Sequence, residues 1–389
     1  MNIFEVYYKK SLKKIPKFFP RIRSHTDRVL FLEDGTIKLN FSSCDYLGLS
    51  NNSKMKKAAI EAIKEYGTNI SGPMVFCGYT KYHEMLENEL ARIYGVDEGI
   101  IYTTSYQANI GVIPVIAKEV DLIVMDKLSH VSLYNAVAIS KKPFRVYPHN
   151  NLEFLEKIIK NNKDKTILII SDGVFSADGD FCDIKTLSKL KELYGNIYLY
   201  IDDAHGVGAL GENGLGLAEK ENCINSIDIL VGTMSKAYGS TGGFCIVRDP
   251  ILAKKIKLNS STYNASRAVS PGVAAASYMS LKINEVEGRN RRNKLDSIVK
   301  YAHDMLDSLG INKLYSKSYI IPIVFNSPEK AIEANNYLIE KGILSSLFIP
   351  PYVEKNKTRI RITISYNHLK KDIKKLCEEL RMLKIKGFL

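Results

Sequence analysis

The chain has 389 residues, 55 of them Lys or Arg against 42 Asp or Glu, for a net charge of +13 and a pI near 9.2. Its 45% apolar and 25% charged composition excludes a mostly disordered chain and leaves room for a sizeable core. The basic balance raises the question of an anionic partner (nucleic acid, membrane surface, acidic carrier protein or polyphosphate cofactor) without choosing among them.

The first segment is basic, with Lys9, Lys10, Lys13, Lys14, Lys17, Arg21 and Arg23 against Glu5. It reads as a solvated amphipathic arm in preference to a membrane-surface or nucleic-acid tail. It has no apolar signal core, and no run in the chain approaches the ~18 residues of a membrane span. The six cysteines, Cys44, Cys77, Cys182, Cys223, Cys245 and Cys377, are scattered without a CxxC pair or metal-ligand spacing. They read as reduced thiols, and a cytoplasmic location is expected. No metal site is expected.

From about residue 99, short apolar runs alternate with helical patterns. Strands are predicted at 99–104, 121–126, 166–171, 197–202, 228–232 and 243–247. Helices are predicted at 151–161 and 184–195, the second ending on Gly195. This is the signature of an α/β fold with a mostly parallel central sheet. After Pro271 a long helix runs towards Gly310, followed by a strand at 318–325, a helix opening at 327–330, a strand at 359–365 and a last helix from about Asn367. The division expected is an N-terminal arm over 1–45, a large α/β domain over 46–270 and a smaller C-terminal α+β domain over 271–389.

Ligands in α/β sheets collect at the carboxyl ends of strands. Four such ends carry chemistry here: TTSYQAN (103–109), DGVFSADGD (172–180), DDAHG (202–206) and GTMSKAYGSTGG (232–243). Hydroxyl residues and glycines let backbone N–H groups approach an anion, and a helix starting after Ser105 would add its dipole. An acid, a histidine and a lysine converge on the same rim. Pyridoxal phosphate (PLP) needs that set: a lysine for the Schiff base, an acid on the pyridinium nitrogen and a phosphate cradle. Asp202 suits the ring nitrogen. Lys236, once released by a substrate amine, is a mobile base. Taken singly, Lys236 also reads as a solvated turn lysine, DDAH as a capped turn, and Ser105 and Thr233 as ordinary caps.

At these residues the chain resembles the α-oxoamine synthases, a branch of the fold-type I PLP enzymes. The resemblance runs from NFSSCDYLGLS (40–50) to RIRITISYNH (359–368), and its most specific markers are DDAHGVGALGENGLG (202–216), SDGVFSADGD (171–180) and the TMSK turn (233–236). It implies Lys236 as the Schiff-base lysine, Asp202 on the pyridine nitrogen and His205 on the ring hydroxyl. It implies that His130 stacks on the ring and helps proton transfer, a residue that alone reads as a core or surface histidine. Ser176 would approach the ring hydroxyl or the substrate carboxylate. Ser105 and Tyr106 would hold the phosphate through backbone amides, and Thr233 through its hydroxyl. Ser266 would reach the phosphate of a partner subunit, making a homodimer with shared active sites. Arg361, with Arg359 as the near alternative, would bind the substrate carboxylate. The reaction implied is acyl transfer: an amino acid condensed with an acyl thioester, acyl-CoA or acyl carrier protein, with loss of carbon dioxide, to an α-amino ketone. Alternatives are another fold-type I reaction, such as aldol-type cleavage or transamination, and a non-catalytic partner subunit. No nucleic-acid signature is present.

Three positions depart from the family pattern. Cys44 stands where an asparagine amide usually donates to the amino-acid carboxylate, and a thiol is a weaker donor. This leaves the amino acid, and the fate of its carboxylate, open. Gly72, Pro73 and Met74 replace a common Gly-Ser-Arg and lean towards serine palmitoyltransferase subunits. Arg267 replaces a small hydroxyl residue, where it adds a phosphate contact or faces solvent. Residues 206–211 spell a literal GxGxxG, but further glycines follow where a dinucleotide site requires a helix, so that reading is rejected.

Overall fold

The computed structural model describes residues 20–350 and 352–389; Lys9, Lys10, Lys13, Lys14 and Lys17 of the basic segment lie outside the described residues. In chain order the strands are β1 (Val29–Phe31), β2 (Ile37–Asn40), β3 (Gly99–Tyr102), β4 (Leu122–Asp126), β5 (Phe144–Tyr147), β6 (Ile167–Asp172), β7 (Ile197–Asp202), β8 (Ile229–Thr233), β9 (Gly243–Val247), β10 (Ile320–Phe325), β11 (Ile343–Leu344), β12 (Ser346–Phe348) and β13 (Thr358–Thr363).

Two compact units form. The larger comprises Leu49–Ser176 and Phe181–Arg292. Its sheet has the order β3-β9-β8-β7-β6-β4-β5. Strands β5, β4, β6, β7 and β8 pair in parallel, and β9 is antiparallel to both of its neighbours. The near-continuous apolar composition of β4, β6 and β8 has a direct cause: these strands are buried along their whole length, as a parallel sheet covered on both faces requires. The mostly parallel α/β architecture is therefore as expected. The edge strand β5, FRVY, was not predicted; three of its four residues are exposed, so it carries no apolar run.

The helices that follow the strands are set by their caps. Thr104 accepts from the Gln107 amide and starts the helix Ser105–Ile116 directly after β3. Asp183 caps Ile184–Tyr194, which ends on the predicted Gly195 at φ 69°. No helix opens on residues 206–211; the chain stays in turns until Leu217. That loop is held from below by the buried Arg292, whose guanidinium donates to the Gly208 and Glu212 carbonyls and to Asn284 Oδ1 at 3.1, 2.6 and 2.5 Å.

The smaller unit comprises the described part of residues 1–48, Ala177–Asp180 and Asn293–Leu389. It contains the antiparallel sheet β10-β13-β12 and the sheet β1-β2-β11. The second sheet joins the chain's first strands to one near residue 343, through Ile343 opposite Leu39. Its core holds His368, stacked 4.4 Å from Phe41. Its Nδ1 accepts from the Ser365 amide, and its Nε2 donates to the Asn40 carbonyl at 3.0 Å.

Two outcomes follow for stability. Burial pushes His368 down from 6.5 to about 4. Below pH 6.5 the unfolded chain takes up a proton that the folded chain refuses, so stability falls as pH drops from 6.5 towards 4, by roughly 1.4 kcal/mol per pH unit. Denaturant titrations across that range are expected to show this slope in the wild type and a flatter one in His368→Gln. Arg292→Ala strands three acceptors under the glycine loop. It is expected to cost about 3 kcal/mol and to speed amide exchange at residues 206–214.

Candidate active site

The carboxyl ends of the central strands bring acids together. Register places Asp172 on β6 opposite Asp202 on β7, and Asp203 follows directly. All three are buried. Asp202 Oδ1 accepts from the Ala204 amide at 3.1 Å, and Oδ2 accepts from Asn109 Nδ2 at 2.6 Å. Asp172 Oδ2 accepts from the His130 amide at 2.9 Å. Burial, followed by the neighbouring Asp202 charge, raises the Asp172 carboxyl well above the usual range. Burial also pushes Asp203 up to about 7, opposed by the Leu217 amide that donates to it.

Lys236 sits in the turn between β8 and β9. The turn is closed by the Met234 amide on the Gly242 carbonyl and the Ser240 amide on the Met234 carbonyl. Gly239, at φ 63°, lets it pass close to Leu49 and Ser50: a Cβ there would lie 2.4 Å from the Ser50 nitrogen. Lys236 is half-buried, and its positive charge lowers the pKa values of His130, Asp172 and Asp203. Lys236 thus lies close enough to His130 and the acid row for its charge to act on them.

His130 is the N-cap of the helix Val131–Ser140 and remains exposed, with Nδ1 2.7 Å from Ser132 Oγ. Although the residue keeps accessible surface, partial loss of water around the ring holds it below the usual histidine range; the Lys236 charge adds to this and the Asp202 charge opposes it. His205 is buried in the turn after β7, and Ser176 is half-buried in the loop after β6. Thr233 ends β8 with its hydroxyl donating to the Gly242 carbonyl, and Ser235 Oγ lies 2.7 Å away.

An anion cradle was expected at Ser105 and Tyr106. These are the first residues of the helix Ser105–Ile116, whose leading amides have no partner within the helix. Gly243 lies against them: a Cβ there would fall 2.3 Å from the Ser105 nitrogen. The Tyr106 hydroxyl accepts from Asn135. Ser266 lies half-exposed in the segment after the helix Ser261–Asn264.

In the smaller unit, Arg361 on β13 lies 4.0 Å from Cys44 Sγ, with its guanidinium 4.9 Å over the Phe348 ring. Arg359, two residues earlier, is buried and ion-paired with Asp178. The two arginines offered as alternatives thus differ. Arg359 is neutralised by a carboxylate, and Arg361 is the half-buried one beside Cys44.

Residues 36–380 match the aminotransferase class I and II family. The chain belongs to that family. It is 36% identical over 343 residues to an 8-amino-7-oxononanoate synthase of Thermoanaerobacter pseudethanolicus, covering 87% of this chain and 86% of that protein. It is 34% identical over 356 residues to one from Arabidopsis thaliana, covering 87% and 73%. Among solved structures, a lysine-to-alanine variant of a serine palmitoyltransferase from S. paucimobilis with a bound PLP–myriocin aldimine superposes at a TM-score of 0.93 with 22% identity over 100% of both chains. An 8-amino-7-oxononanoate synthase from Francisella tularensis superposes at 0.78 with 24% identity over 90% of this chain and 99% of that one. These likenesses show the fold-type I PLP transferase fold, and the curated relatives put the chain in the α-oxoamine synthase branch. PLP is its cofactor.

The residues present fit that cofactor on their own terms. A glycine-lined helix start suits a phosphate, a buried carboxylate braced by two donors suits a protonated ring nitrogen, and a lysine amine stands in the same field. Four residues bound into this arrangement were given no role by the sequence reading: Asn109, Ser132, Asp172 and Tyr200. Asn109 had one available signal, an amide inside the otherwise apolar helix run ANIGVIPVI.

The close approach at Gly243 yields a test. In Gly243→Ala the added methyl has to push the start of the helix away. The dissociation constant for PLP, read by titration of the visible absorption, is expected to rise at least tenfold.

Proposed function

We propose that this protein condenses an amino acid with an acyl thioester, acyl-CoA or acyl carrier protein, releasing thiol and carbon dioxide and forming an α-amino ketone. The observation that carries the reading is the rim itself: Asp172 and Asp202 side by side at adjacent strand ends, Lys236 in the closed turn after β8, and Gly243 against the helix start at Ser105. The curated relatives support it: an 8-amino-7-oxononanoate has its amine next to its ketone, the unit such a condensation makes.

When bound, PLP supplies an electron sink for negative charge at the amino-acid Cα. This chain's residues do the rest. Asp202 would hold the proton on the ring nitrogen. His130 would stack on the ring, His205 would serve its hydroxyl, and Ser176 would serve that hydroxyl or the substrate carboxylate. The Ser105 and Tyr106 amides would hold the phosphate, with Thr233 turning its hydroxyl from the Gly242 carbonyl to join them and Ser266 reaching it across a homodimer with shared sites. Lys236 takes the proton from the amino-acid Cα and returns one after carbon dioxide has left. Arg361 binds the amino-acid carboxylate, and Cys44 lies beside that contact. A basic surface speeds encounter with a polyanionic CoA or an acidic carrier protein. A cytoplasmic reaction is the reading that the six scattered cysteines, taken as reduced thiols, support.

A second reading, another reaction of the same cofactor such as aldol-type cleavage, rests on Cys44 standing in for an amide donor. One assay separates the two. Alanine, glycine and serine are each offered with short- and long-chain acyl thioesters, and free thiol is followed. Thiol release dependent on one amino acid, and lost in Lys236→Ala, is expected. No release with any pair, alongside turnover of an amino acid alone, would favour the second reading.

A further inference from the structure

A buried chain of hydrogen bonds runs from the core of the larger unit to His130. Tyr200 OH lies 2.6 Å from Asn109 Oδ1. Asn109 Nδ2 lies 2.6 Å from Asp202 Oδ2 and 2.8 Å from Ser132 Oγ. Ser132 Oγ lies 2.7 Å from His130 Nδ1, and the Ser132 backbone amide approaches the same nitrogen at 3.3 Å. Tyr200, Asn109 and Ser132 are each no more than 1% exposed, so water does not compete for these groups.

The polarity of this chain is determined step by step. Asn109 turns its NH₂ towards the Asp202 carboxylate oxygen, which leaves its Oδ1 towards Tyr200, which donates. The second N–H of Asn109 then goes to Ser132 Oγ. That hydroxyl, already accepting, has its own proton left for His130 Nδ1. The Ser132 amide also donates to Nδ1. Two donors on one nitrogen leave it no proton of its own.

We infer that Asn109 and Ser132 are positioning residues: Asn109 orients the Asp202 carboxylate, and through Ser132 it fixes His130 as the neutral tautomer protonated on Nε2. The ring nitrogen bound to the chain is thereby an acceptor. The one directed away from Ser132 carries the proton, ready to donate to substrate or to a leaving group. The charge of Asp202 and the tautomer of His130 are coupled through one amide. The consequence for turnover rests on the proposed reaction, whereas the tautomer itself does not.

The test uses wild-type holoenzyme labelled with ¹⁵N-histidine. Among its seven histidines, His130 is assigned by the signal lost in His130→Gln. A pyridine-type Nδ1 and a protonated Nε2 are expected; a protonated Nδ1 overturns the inference. Ser132→Ala is expected to give mixed tautomers and to lower kcat about tenfold while KM for the amino acid changes less than twofold. Ser132→Thr, which keeps the hydroxyl, is expected to restore both. If Ser132→Ala leaves the tautomer pure and kcat intact, the serine link is not what sets the ring. Absence of the PLP absorption band from the wild type would sink the proposed reaction, yet the His130 tautomer is still read from the same sample.

Discussion

A carboxylate buried at the end of β7 is the constraint on which this site depends. Removing an unpaired carboxylate from water costs several kcal/mol, so Asp202 persists only where donors replace the lost water. The chain supplies them from two directions: the Ala204 amide, which the sharp turn after β7 brings back, and the Asn109 amide, projected from the helix after β3. Neighbouring acids at the ends of β6 and β7 make the demand stricter. Burial, with the neighbouring Asp202 charge adding to it, shifts Asp172 and Asp203 upward towards their neutral forms.

The sheet places the counter-charge. Five strands run parallel, so their carboxyl ends form one rim, and β9 then reverses direction. A reversal needs only a tight turn, where a parallel crossover would need a helix. The turn between β8 and β9 therefore leaves Lys236 on the rim. Glycine at 239 and 243 is the backbone cost of that geometry, since each admits a close approach that a side chain would block.

Much of this was legible in the sequence, for physical reasons. Strands buried on both faces must be apolar throughout, so β4, β6, β7 and β8 stand out as runs, and the residues directly after them as rim chemistry. Asp202 and Lys236 could be picked out because each follows such a run. The exposed edge strand β5 has no such pattern. The pairing of β1 and β2 with β11, about 300 residues away, leaves no local trace. Asn109 and Ser132 were missed for a different reason. Each lies inside a helix that reads as apolar or neutral, and their value comes from meeting across 23 residues of sequence, which no spacing rule reports. The literal GxGxxG was rejected on its context; those glycines build a loop clamped by Arg292 and start no helix.

The overall charge of +13 suggests electrostatics on a large scale, but the site depends on a few buried groups at the strand ends. Were Asp172, Asp202, Asp203 and Lys236 all ionised, a buried rim would hold three negative charges and one positive. Burial eases this by raising Asp172 well above its usual value and Asp203 to about 7, which reduces the negative charge the rim carries. His130, held below the usual histidine range and bound by its Nδ1 to Ser132, adds a proton without adding a charge. A neutral histidine beside buried carboxyls can pass a proton without building up net charge in a medium that penalises it. This is why the hydrogen-bond polarity set by Asn109 matters more to the site than the surplus of lysines on the surface.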